Sequence, residues 1–163
     1  MSKIQKTNAM RQLDAAKIPY EIMDYVVDES DLSGVHIAEQ IGLPCEQVFK
    51  TLVTKGDKNG LNVICIPAHL EIDLKAAAQA TGNKSLSMLP TSELLANTGY
   101  IRGGCSPIGM KKKFPTYIDE SAVNYDKITV SSGTRGMQLL LDPNTLIKFT
   151  GAKLCSVTVK IEK

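Results

Sequence analysis

With 163 residues, 43% of them apolar, the chain is long enough for one domain with a buried core, and a net charge of +2 excludes indiscriminate coating of nucleic acid. No apolar run approaches the roughly 20 residues that span a bilayer. The polar start from Met1 to Arg11 has no signal-peptide core, so a cytoplasmic protein is expected.

Thr7 to Ala16 carries Met10, Leu13 and Ala16 at helical spacing, and Pro19 ends that helix because proline disfavours helix at the residue before it. Tyr20 to Val27 is aromatic and β-branched and reads as a strand. Val35 to Ile41 is a short helix with Gly42 as its C-terminal cap. Gln47 to Lys55 and Leu61 to Ile66 form a hairpin around Gly56-Asp57-Lys58-Asn59-Gly60. Asp73 caps a helix through Ala80 that closes on Gly82, and Ser92 to Asn97 is another short helix. Strand-like segments follow at Thr116 to Asp119, Lys127 to Ser131 and Met137 to Leu141. Asp142 and Pro143 open a last helix to Phe149, and Leu154 to Ile161 reads as a final strand. Helices and frequent hairpins are interspersed without repeats or long linkers. That pattern predicts an α/β (mixed α+β) domain with a mixed or antiparallel sheet and not a doubly wound parallel one.

The four cysteines, Cys45, Cys65, Cys105 and Cys155, show neither zinc nor redox spacing. They read as free thiols packed as small apolar groups, with no metal and no cofactor implied. Two segments carry candidate chemistry. Gly103-Gly104-Cys105-Ser106-Pro107-Ile108-Gly109, followed by Met110-Lys111-Lys112-Lys113, is either a surface turn or a loop whose N–H groups face an anion. Cys105 is a possible nucleophile there, but neither His36 nor His69 has a recognisable motif partner. Lys50 stands in a strand that is apolar on both faces, with Val48 and Leu52 on its own side and Phe49, Thr51 and Val53 on the other. Its ammonium either snorkels to water or points into a ligand cleft.

Val48-Phe49-Lys50-Thr51-Leu52 resembles the lysine-bearing strand of the YbaK/ProX aminoacyl-tRNA editing-domain family. Gly99-Tyr100 with the loop from Gly103 to Gly109 resembles that family's glycine-rich loop. Pro115-Thr116-Tyr117-Ile118-Asp119 and Ser131-Ser132-Gly133-Thr134-Arg135-Gly136 fit its later segments in the same order. The resemblance runs from about Thr7 to about Leu154 and is nearest to the free-standing YbaK type, a class of Cys-tRNA(Pro) deacylases. It implies that residues 1–163 form a single domain, with a mostly antiparallel sheet curled into a partial barrel among helices. It also implies trans-editing, the removal of cysteine from mischarged proline tRNA, with prolyl-tRNA synthetase as a possible partner. Such correction is needed where a pocket cannot reject an amino acid of similar size.

Carried over residue by residue, the resemblance makes Lys50, Gly103 and Gly104 catalytic. Lys50 would hold the terminal adenosine phosphate or the ester, and the backbone N–H groups near the two glycines would stabilise the carbonyl's developing charge. Tyr25, Ser106, Pro107 and Gln138 would contact substrate, and Lys111, Lys112 and Lys113 would attract the tRNA backbone. The chain departs from the family pattern at two places in the site. Gln138 replaces an acidic residue and cannot act as a base, and Asp31-Leu32-Ser33-Gly34 lacks the usual aromatic pocket residue. Cys105, at a commonly aliphatic position, fits packing better than catalysis. Alternative expectations are a deacylase for another small amino acid such as alanine, or a non-catalytic tRNA- or synthetase-binding module.

Overall fold

Capping side chains decide where most of the helices begin. Residues 6–159 are described in a computed structural model. Helix α1 (Asn8–Ala15) starts behind Thr7, whose hydroxyl accepts from the Met10 N–H, and α2 (Gly34–Ile41) starts behind Ser33 in the same way. Asp73 caps α3 (Leu74–Thr81) by accepting from the N–H groups of Lys75 and Ala76. Helix α4 (Thr91–Thr98) follows Pro90 without a side-chain cap, and Asp142 caps α5 (Pro143–Thr150). The expected glycine stops hold, since Gly42 and Gly82 both adopt left-handed backbone that closes α2 and α3.

The strands are β1 (Glu21–Asp24), β2 (Phe49–Gly56), β3 (Gly60–Pro67), β4 (Leu86–Met88), β5 (Thr116–Asp119), β6 (Ile128–Ser131), β7 (Met137–Leu141) and β8 (Lys153–Cys155). They form two sheets that do not close into a full barrel. A three-stranded antiparallel sheet has the order β1-β7-β6, and a five-stranded sheet has the order β4-β2-β3-β5-β8. In the larger sheet the pairings of β3 with β5 and of β5 with β8 are parallel, and the others are antiparallel. An isolated bridge between Val48 and Thr129 joins the two sheets. The expected mixed α/β class, with most strand pairs antiparallel, is what forms.

Packing follows from alternation along β2 and β3. Phe49 and Cys65 face Ile128, Val130, Leu139 and Leu141 of the smaller sheet, together with Met10 and Leu13 of α1. Leu52, Ile64 and Ile66 face the opposite way, onto Ala77 and Ala78 of α3. The larger sheet is therefore covered on both faces, as the doubly apolar reading of the Lys50 strand required.

The predicted strand from Tyr20 to Val27 stops at Asp24. Beyond it the Gln40 side chain takes both the N–H and the carbonyl of Val26, at 2.9 and 2.8 Å, leaving neither for a ladder. The final strand covers only Lys153 to Cys155, after which Thr158 makes a single bridge to Ile72. Its predicted end at Ile161 lies outside the described residues.

Candidate active site

One edge of β2 is left open. Alternate residues of a strand turn their N–H and carbonyl groups to opposite edges. The Val53 carbonyl accepts from the Leu89 N–H at 3.0 Å, away from β3, so Thr51, two residues earlier, presents its backbone the same way. β4 pairs only with Thr54 to Gly56, and the bridge to β6 sits back at Val48. The gap between them opens into a cavity of about 520 Å³ whose walls include Lys50, Thr51, Gly103, Cys105, Ser131 and Gln138.

Lys50 enters this cavity half-buried. Burial lowers its pKa from the usual 10.5, and Glu71 opposes that shift. Among the described residues no carboxylate forms an ion pair with it. The ammonium is thus available to a ligand's phosphate or carbonyl oxygen.

The glycine-rich loop divides its duties. Gly103 lines the cavity with φ +86, and a Cβ there would stand 3.1 Å from Arg135 Nε. Arg135 in turn donates from Nε to the Arg102 carbonyl at 2.8 Å and holds the turn down. Gly104 has another role from the one expected. Its N–H donates to the Ile101 carbonyl at 3.0 Å, and a Cβ would meet the backbone of Thr134 and Arg135 at 3.2 Å. Gly104 is a glycine for close packing, and its donor is already occupied. Cys105 lines the cavity instead, and neither its N–H nor that of Gly103 has an acceptor among the described residues. Burial pushes the Cys105 thiol up to about 12, so at neutral pH it is an uncharged group packed with Val53, Leu89 and Tyr100.

Gln138 reaches the cavity from β7, where it pairs with Ser131 of β6 and Met23 of β1. It is only 4% exposed, and its Oε1 accepts from the Thr129 hydroxyl at 3.2 Å. Lys50, Gly103 and Gln138, well separated in sequence, meet at this cavity.

Tyr25, Ser106 and Pro107 are not brought to the cavity. The Tyr25 N–H pairs with the Gly136 carbonyl at 2.9 Å. Ser106 is fully buried, and its Oγ accepts from the Ile108 N–H. Pro107 instead borders a second cavity of about 350 Å³, together with Lys112, Lys113, Phe114 and Phe149. Lys111, Lys112 and Lys113 are all exposed.

Sequence reasoning missed Ser131 and Arg102 as site residues, while Asp31 to Gly34, expected at the pocket, does form part of the wall. Thr51, next to Lys50 in its motif, was within reach. Ser131 was not, because only the pairing of β6 with β7 places it opposite Gln138.

Comparison with known proteins agrees with this geometry. EbsC of Enterococcus faecalis, provisionally named a Cys-tRNA(Pro)/Cys-tRNA(Cys) deacylase, is 49% identical over 156 residues, covering 96% of this chain and 95% of EbsC. YwhH of Bacillus subtilis is 29% identical over 117 residues, covering 72% and 74% of the two chains. A crystal structure provisionally named a trans-editing enzyme for prolyl tRNA synthetase superposes with a TM-score of 0.80 at 23% identity, covering 96% of this chain and 99% of that one, which establishes the shared fold. The profile of the aminoacyl-tRNA editing domain matches residues 33–149, a span that holds Lys50, the glycine-rich loop and Gln138, and the chain belongs to that family.

Proposed function

We propose that the protein, taken as one domain over residues 1–163, is a trans-editing deacylase that frees proline tRNA of misattached cysteine. The observation that carries this reading is the chemistry of the cavity wall, which offers hydrogen-bond donors but no ready nucleophile or base. The ammonium of Lys50 and the unpartnered N–H groups of Gly103 and Cys105 suit the oxygen of an ester carbonyl as it gains negative charge. The Cys105 thiol is held neutral, Gln138 cannot take a proton, and among the described residues Asp31 is the single carboxylate on the wall, tied by Oδ1 to the Ser33 N–H at 3.0 Å.

The nucleophile is then the substrate's own cysteine. Its thiol loses a proton to water, and the sulfur attacks its own ester carbonyl carbon. A carbon–sulfur bond forms while the bond from that carbon to the ribose oxygen breaks, and the released oxygen takes a proton from water. The products are a four-membered thiolactone and tRNA with a free 3′ end. Such ring closure gains from orientation, where effective molarities reach roughly 10⁵ M or more, and orienting the substrate is what a cavity of fixed donors does. Prolyl-tRNA synthetase is a candidate partner for selecting the tRNA. The name of the 49% identical relative supports the substrate class.

The test is incubation of purified protein with proline tRNA charged with cysteine, serine or alanine. Cysteine alone should be released, as a thiolactone that can be trapped. Rapid release of alanine would favour a deacylase for another small amino acid that works through water. Binding of tRNA without any discharge would favour a non-catalytic module.

A further inference from the structure

One end of the Gln138 amide is held by a neighbour and the other is not. Thr129, on β6 and fully buried, directs its hydroxyl to Gln138 Oε1 at 3.2 Å. The oxygen end faces the sheet. The Nε2 end has no partner among the described residues, although the residue is 96% buried and lines the cavity. That end is reached from the cavity, since Asn62 Oδ1 is the one enclosed side-chain N or O atom without a partner among the described residues, and so it is a donor open to a ligand seated there.

We propose that Gln138 Nε2 receives the sulfur of the substrate's cysteine as the thiolate forms, and that Thr129 is the positioning residue that keeps this donor pointing into the cavity. The proposal rests on the deacylase reading above and assigns the part of the site that faces the nucleophile. Lys50 and the loop N–H groups of Gly103 and Cys105 serve the carbonyl oxygen. The attacking sulfur needs a donor of its own, held on a different element. An amide suits it because it stabilises negative charge without the tight ion pair that a second ammonium would form. A carboxylate at this position, as in the family pattern, has no donor for the thiolate and could serve the thiol only as a base. Glutamine in place of the acidic residue that the family resemblance led one to expect is then a change of polarity with a purpose.

The decisive variants are Gln138→Glu, Gln138→Met, Thr129→Val and Thr129→Ser, assayed on cysteine-charged proline tRNA across pH. Gln138→Met and Thr129→Val should each lower kcat roughly tenfold to a hundredfold, the range for a hydrogen bond to a charged group. Both should also move the alkaline rise of the rate profile to higher pH, because the thiolate becomes harder to form. The other charged or titratable groups on the cavity wall are Asp31, Lys50, Arg102 and the Cys105 thiol. All four are unchanged in these variants, so the shift belongs to the substrate. Thr129→Ser keeps the hydroxyl and should recover most of the activity lost in Thr129→Val. In a Gln138→Met background Thr129→Val should cost nothing further.

Gln138→Glu is nearly isosteric and should lose activity. Activity equal to or above wild type in that variant would overturn the proposal, as would a Thr129→Val loss that persists in full beside Gln138→Met. A binding measurement separates this idea from the deacylase reading itself. Wild type should bind amide-linked cysteinyl-adenosine more tightly than its 2-aminobutyryl counterpart, and Gln138→Met should erase that preference. If wild type discharges no tRNA, the deacylase reading fails. If the preference is absent from wild type, the sulfur assignment fails.

Discussion

A Cβ on Gly133 would stand 2.8 Å from Cε1 of Tyr100, so the tyrosine ring fills the space a side chain would need. Gly133 also has φ +103, and the Tyr100 hydroxyl donates to the Ile108 carbonyl. The ring thus wedges the β6–β7 turn against both ends of the glycine-rich loop. Gly133→Ala should cost about 2–4 kcal/mol from backbone strain and overpacking together. Tyr100→Phe leaves the buried Ile108 carbonyl without its donor and should cost about 1–2 kcal/mol. Thermal unfolding of both variants checks this, and melting temperatures equal to wild type would refute the wedge.

Lys50→Met should abolish most deacylation while raising thermal stability at neutral pH. Loss of one transition-state donor costs on the order of a hundredfold in rate. The stability gain follows from burial, which lowers the lysine pKa from 10.5. Between that lowered value and 10.5 the unfolded chain holds more protons than the folded one, so stability rises with pH through this window. Below the window the unfavourable burial of charge is present in full. The advantage of the methionine variant should therefore be largest near neutrality and shrink as pH approaches 10.5. Melting curves at several pH values would show an advantage constant with pH if this account is wrong.

Local chemistry made much of this fold legible. Asp73, Asp142, Gly42 and Gly82 marked helix ends because capping is settled within a few residues of chain. The hairpin around Gly56 to Gly60 was equally plain, and Phe49 pairs with Pro67 through to Gly56 with Gly60. Features that depend on distant partners were not legible. Strand β1 ends early because Gln40, on another element, captures Val26. β4, three residues long, exists through its pairing with the far end of β2. At the site, Lys50 and Gly103 could be read from their motifs. That Gly104 donates to Ile101, leaving Cys105 to offer the second free N–H, is a property of the folded loop alone.

The lysine run is predicted to act through phosphates alone. Lys111, Lys112 and Lys113 are exposed, and Lys112 and Lys113 flank a cavity beside Phe114. Replacing all three with alanine should weaken tRNA binding and flatten its dependence on salt by roughly one unit of slope for each phosphate contact removed. Melting temperature should be unaffected, since exposed side chains contribute little to stability. Binding titrations over a series of potassium chloride concentrations measure the slope. An unchanged slope would place the tRNA backbone elsewhere on the surface.

The cysteines allow a test of the assignment that leaves Cys105 out of the chemistry. Burial pushes the thiols of Cys65, Cys105 and Cys155 from 9.0 up to about 12. At pH 8 all three should resist iodoacetamide in the native protein and react once it is unfolded. Above pH 9 the unfolded chain loses these protons before the folded one does, so stability should fall between 9 and about 12. Cys105→Ala keeps the backbone N–H and removes only the sulfur. It should destabilise the protein by about 1–2 kcal/mol through the space it leaves, yet retain deacylation within about threefold, well under one lost hydrogen bond. Loss of activity in Cys105→Ala at full folding would make the thiol itself a participant. A nucleophile supplied by the substrate would then no longer be needed.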